Sequence, residues 1–239
     1  MTAAWLALIA TIFIAGAAQR ITGLGFALIA TPAALAVLGT QAVPFVAVIG
    51  AMSSLVALAA TWRSLQPKAI AALSAVTLVT MIPALLLART LSEAASNIVA
   101  GGPVVAATIV VGVRMAGPAL AVVESPVAAG MMTGVSAALA GLGGPAAAAH
   151  GAAKAWGESF VPNLQVVLLL TVPFVVLGHG WPTAVPLPLF VVAAIAVGVG
   201  ALAGGAVRHR IRLSVANLLT RIVALAGGVF ALISGISAL

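Results

Sequence analysis

The feature that most constrains this chain is a succession of apolar runs, each about as long as a bilayer is thick. From Ala42 to Ala60, and again from Pro186 to Val207, no residue carries a charge. A helix needs roughly 20 apolar residues to cross about 30 Å of hydrocarbon. Several such runs, joined by short loops, leave no room for a soluble domain. Of the 239 residues, 64% are hydrophobic and 5% charged, where a soluble domain carries about 25% charged. A water-facing surface cannot be built from this composition, so the expected fold class is an all-α polytopic membrane protein.

The apolar segments read as Ala3–Ala18, Ile21–Leu38, Ala42–Thr61, Ala69–Ala88, Ala95–Val113, Val127–Ala140, Pro145–Trp156, Leu164–Leu177, Leu187–Val207 and Leu213–Ile236. Gln66-Pro67-Lys68, Gly117-Pro118 and the stretch Gly178 to Pro182 are turn signals between them. Met1 to Ala18 ends in small residues, as a signal peptide does. It lacks a charged leading region and runs through Gln19-Arg20 into the next apolar segment, which predicts a retained membrane segment.

The net charge is +7, from ten Lys and Arg against three Glu and no Asp. In a soluble protein such an excess would suggest nucleic acid. Here the basic residues sit mostly in connecting loops and read as topogenic charges, so no nucleic-acid partner is expected. The absence of Cys excludes disulfides and thiol catalysis. With so few carboxylates and three scattered His, neither a metal site nor a cofactor is expected. No phosphate loop is present, which excludes ATP hydrolysis by this chain.

A weak internal repeat divides the chain into two transmembrane halves, 1–116 and 117–239. Gly23-Leu24-Gly25 interrupts an apolar stretch in the first half, and Gly141-Leu142-Gly143-Gly144-Pro145 interrupts one in the second. Val43-Pro44-Phe45 follows the first break and Phe160-Val161-Pro162 the second. As helices, Val127–Ala140 would be about 21 Å long and Pro145–Trp156 about 18 Å. Neither alone crosses the hydrocarbon.

If both interrupted segments return to their starting side, Arg63, Lys68, Arg114, Lys154, Arg208, Arg210, Arg212 and Arg221 share one face. Arg89 then lies on the other, and Arg20 at the tip of the first hairpin. The positive-inside rule favours that arrangement. It predicts two inverted repeats, each a broken or re-entrant helical hairpin plus three transmembrane helices, with both termini outside. Ala3–Ala18 and Ile21–Leu38 are also long enough for two nearly full crossings, with the same parity.

Thr22 to Pro32 followed by Ala42-Val43-Pro44, together with Gly130, Gly134 and Gly141 to Pro145, resembles the two half-signatures of the sulfite exporter TauE/SafE family. The resemblance covers the whole chain in length, repeat order and glycine placement. It implies an exporter or importer of small anions such as sulfite or an organosulfonate, in a bacterial cell inner membrane. The richness in Ala departs from the family pattern and obscures which side chains would line a pocket.

Paired breaks in matching halves point to a transporter site near the midplane. Backbone N–H groups freed at a helix start, with the positive end of the helix dipole, hold anions. Pro145 suits the first turn of such a helix, where its missing N–H is not needed. The expected substrate-binding positions are Gln19, Arg20, Thr22, Gly23, Gly25, Thr31, Pro32, Gly141, Gly143, Gly144, Pro145 and His150. Arg20 would be the one positive charge near the breaks, against the plainer reading of an arginine that ends a span and snorkels to the interface. His150 could carry a proton, or simply pack. Gly200-x-x-x-Gly204 is a close-packing pattern between helices or protomers of a homo-oligomer. Gly134-Val135-Ser136 faintly resembles an intramembrane serine protease signature, but no enzymatic role is expected.

The reading is therefore a transporter working by alternating access. Its rivals are an anion channel of the same fold and a non-transporting membrane scaffold subunit. Partners follow as a small anion and the lipid bilayer.

Overall fold

The computed structural model describes residues 3–88, 118–183 and 185–208 continuously, with scattered positions between 90 and 109 and between 210 and 237. Among the described residues every regular element is a helix. In chain order these are α1 (Ala3–Thr22), α2 (Phe26–Leu38), α3 (Ala42–Ala59), α4 (Pro67–Ala88), α5 (Pro118–Glu124), α6 (Pro126–Ala140), α7 (Gly143–Ala153), α8 (Phe160–His179) and α9 (Leu187–Arg208). The expected segments Ala95–Val113 and Leu213–Ile236 fall mostly outside the described residues, as do Arg89, Arg114, Arg212 and Arg221.

Local chemistry explains most of the ends. Proline opens α4, α5 and α6, where its missing N–H is not needed. Ser125 caps α6 by accepting from the Ala128 N–H at 3.3 Å. The two breaks fall where glycine permits left-handed backbone: Gly23 at φ 84°, Gly25 at φ 115° and Gly141 at φ 68°. Gly25 also moves the first boundary. Ile21 and Thr22 complete α1, and α2 starts only at Phe26.

Helix directions follow from close contacts. A Cβ built on Gly200 would lie 2.2 Å from the Phe13 carbonyl oxygen, and one on Gly204 would lie 2.4 Å from that of Ala17. The α1 and α9 backbones therefore touch and run in parallel, and the Gly-x-x-x-Gly pattern joins two helices of one chain. Gly130 and Gly134 do the same for α6 against α4, at 2.9 Å from Leu73 O and 2.6 Å from Thr77 O. Phe45 packs edge-on to Phe190 at 5.2 Å, which places the starts of α3 and α9 together. Gly178 faces Leu85, and Leu164 clusters with Ile70 and Leu73, so α4 and α8 also run in parallel.

α1 packs on α9 and α4 on α6; α3 packs on α8; α9 touches α3 and α8 touches α4. Within each group, α1–α2–α3 and α6–α7–α8 meet in the same order. Exchanging α1 to α4 with α6 to α9 leaves this pattern unchanged, apart from the contacts of α5.

The radial distribution is that of a protein in an apolar solvent. Large apolar side chains face outward, including Leu177 (77% exposed) and Leu187 (75%), while Gln19, Ser54, Asn163 and Gln165 are buried. Small residues such as Ala15, Ala30, Ala34, Ala147 and Ala193 fill much of the interior, which lets helices approach closely. Among the described residues five helices, α1, α3, α4, α8 and α9, are long and apolar enough to cross a membrane, and the chain is a multi-pass membrane protein. By contrast α2 (13 residues) and α7 (11 residues) reach only about 20 and 17 Å.

These directions gather the described basic residues at one end of the bundle. Arg20 and Arg208 end α1 and α9, and Arg63 and Lys68 flank the α3–α4 turn. Gln66 in that turn donates its N–H to Asn163 Oδ1 at 2.9 Å, in the first turn of α8. Lys154, which ends α7, and Glu124 form an ion pair at 3.7 Å at the same end.

Candidate functional site

Both hairpins carry their breaks to one central cavity of about 80 Å³. That is room for several waters or one small polyatomic ion. Its wall takes Leu24 to Leu28 and Thr31 from the first hairpin, and Ala137 and Ala140 to Pro145 from the second. The middles of α3 (Val43 to Ser54) and α8 (Leu168 to Val175) complete it. The breaks sit at different levels along α3. The Phe26 ring lies against Gly50, whereas Gly141 faces Val43.

The ends of the helices at each break are capped in part. On the arriving arms, several carbonyls are occupied. The Gly23 N–H donates to Gln19 O at 2.8 Å, and Thr22 Oγ1 to Ala18 O at 2.8 Å. Gly141 and Leu142 donate to Ala137 O and Ser136 O, each at 3.0 Å, and His179 Nε2 lies 2.9 Å from Ala138 O. The departing helices are not capped. Gly25 precedes α2 and Leu142 precedes α7 without a capping side chain. The N–H groups of Phe26, Ala27 and Leu28, and of Gly143 and Gly144, have no intrahelical acceptor by geometry. Oriented N–H donors are thus left over at both breaks, and no charged side chain lines the cavity.

A buried amide chain holds the first break in place. Gln19 Nε2 donates to Ser54 Oγ at 2.9 Å and to Gln165 Oε1 at 2.8 Å. Gln165 Nε2 donates in turn to Gly23 O at 2.7 Å. This links α1 to α3 and α8 across the two groups of helices. At the opposite end of the cavity no such link joins the two groups among the described residues, although His179 ties α8 to α6. There, Val43, Ala47, Ala137 and Val175 meet Met81 in an apolar cluster.

Of the positions expected from sequence, Gln19, Gly25, Thr31, Gly141, Gly143, Gly144 and Pro145 line the cavity. Gly23 and Thr22 stand behind it, shaping the turn. Pro32 lies within α2 and withholds a donor from the Leu28 carbonyl. His150 lies toward the far end of α7, buried, with Nδ1 2.9 Å from Val123 O and its ring edge-on to Trp156. Arg20 points to α9, its Nε 3.4 Å from where a Cβ on Gly205 would stand, and is not part of the cavity wall. Helix phase explains the difference from Gln19, since neighbouring residues project about 100° apart.

Sequence reasoning did not find Ser54, Gln165 or Thr171. Gln165 had one usable signal, an amide inside a predicted span, where a polar group needs a partner. No metal-binding cluster of His, Cys, Asp or Glu occurs among the described residues. No family model, curated protein or solved structure matches the chain.

Proposed function

We propose that the chain is a transporter of a small anion, an exporter of sulfite or an organosulfonate, working by alternating access to the central cavity. The observation that carries this reading is that two uncapped helix starts, from two separate hairpins, line one uncharged cavity. Several N–H donors converging in a low-dielectric site can offset the desolvation of an anion, and the uncapped helix starts point the positive ends of their dipoles at the cavity. The choice of sulfite or a sulfonate rests on the family resemblance of the glycine motifs.

Alternating access needs two halves that can rock against each other. The self-matching contact pattern of the two helix groups supports an origin as inverted repeats, with α1–α2 and α6–α7 as broken hairpins that start from opposite sides. Clustering of the basic residues at one end supports a bacterial inner-membrane orientation with that end in the cytoplasm. A single Cys placed at Leu65 is then expected to resist an impermeant thiol reagent added outside cells and to react after lysis. Labelling from outside would reverse the orientation.

The functional test is calorimetric titration of purified protein with sulfite, sulfoacetate, acetate and chloride, each as sodium and potassium salts. Saturable binding of sulfite or sulfoacetate is expected. Binding of a cation or neutral solute with no response to any anion would overturn the reading.

A further inference from the structure

Arg20 is left without a role by the cavity, and its surroundings call for a ligand. Its Nη1 is buried with no hydrogen-bond partner. Arg208, at the end of the adjacent helix, adds a repulsive like charge. Among the described residues the one ion pair is Lys154 with Glu124, so no described carboxylate balances the two arginines. Buried guanidinium donors without an acceptor are costly, and so is an unbalanced pair of like charges. A single phosphate group answers both defects, because it accepts forked hydrogen bonds from arginine and carries the opposing charge.

The position selects the kind of phosphate. The pair sits where α1 and α9 end together, at the basic end of two helices long enough to cross the membrane. Headgroup phosphates of a bilayer lie at that level. The outer face of α9 just below presents exposed Leu202 and Val207, a surface suited to an acyl chain. Gly205, without a side chain, leaves the strip along which Arg20 lies.

We propose that Arg20 and Arg208 bind the phosphate of an anionic membrane lipid at the α1–α9 seam. This claim is independent of what the cavity carries, and its test needs no transport assay. Delipidated, detergent-purified protein would be given phosphatidylglycerol, phosphatidylcholine or inorganic phosphate, with thermal unfolding and native mass spectrometry as readouts. Phosphatidylglycerol is expected to raise the unfolding temperature and to remain as a one-to-one adduct. The Arg20→Gln/Arg208→Gln double variant should lose at least tenfold in adduct and the thermal shift with it, while Arg63→Gln retains both. Should the double variant fail to fold, Arg208→Gln alone is expected to weaken the adduct at least threefold. An adduct and shift unchanged in the arginine variants would overturn the proposal. So would an equal response to phosphatidylcholine, or a shift reproduced by inorganic phosphate, which would assign the pair to a soluble oxyanion.

Discussion

Gly144→Leu is expected to abolish anion binding and transport in a protein that still folds. A Cβ at Gly144 meets only the Leu168 side chain, at 3.6 Å. Leu168 is flexible and itself lines the cavity, so a leucine at 144 fills the cavity proposed to hold the anion and hinders approach to the Gly143 and Gly144 N–H groups. Gly143→Leu separates the two roles of these glycines. Its Cβ would stand 2.9 Å from Ala137 Cβ and 3.3 Å from Thr133 O, so the arms of the second hairpin must part. Overpacking of this kind costs about 1–3 kcal/mol, and Gly143→Leu should lower the folded yield as well as the activity. Proteoliposome uptake with parallel thermal unfolding checks both. Wild-type transport by well-folded Gly144→Leu would remove the cavity from the path.

Gln165→Leu carries the second large effect. It deprives Gln19 Nε2 of one acceptor and Gly23 O of its donor, in a fully buried setting. Each stranded group costs roughly 1–3 kcal/mol, and a chain of this size loses about 2–4 °C of unfolding temperature per kcal/mol. Transport should fall at least tenfold, since the first break loses its tie to α8. Gln165→Glu is informative because a carboxylate can still accept from Gln19 but cannot donate to Gly23 O. The Gln19→Leu/Gln165→Leu pair should cost less than the sum of the single changes, because removing both partners leaves fewer unpaired groups. Strict additivity in stability would mean that the amides do not act as a unit.

Much of the fold was legible because lipid imposes simple rules on sequence. The segments Ala42–Thr61, Ala69–Ala88 and Leu187–Val207 lie close to α3, α4 and α9, since long uncharged runs admit few other structures. The glycine breaks were legible for a related reason: Gly23, Gly25 and Gly141 all adopt positive φ, which other residues resist. Other features depended on tertiary geometry. The Gly117-Pro118 turn signal hid a short helix, α5, that proline itself initiates. The start of α8 at Phe160 rather than Leu164 places Pro162 in a first turn that accepts it. Gln165 pairs with Gln19 and Gly23 across more than half the chain, a distance over which no local pattern speaks. Arg20 and Gln19 are adjacent in sequence, yet one faces α9 and the other the cavity.

The two ends of the cavity differ in a way that bears on how temperature would bias a transporter built on it. One carries the Gln19 and Gln165 amides with the Ser54 hydroxyl, the other Val43, Ala47, Ala137, Val175 and Met81. Wetting an apolar closure raises the heat capacity, whereas wetting a polar one lowers it. If the ends open alternately, the two states differ in heat capacity with a fixed sign. Their populations would then follow a curved rather than straight van't Hoff plot, and warming and cooling would not be mirror images in the resting orientation of the protein.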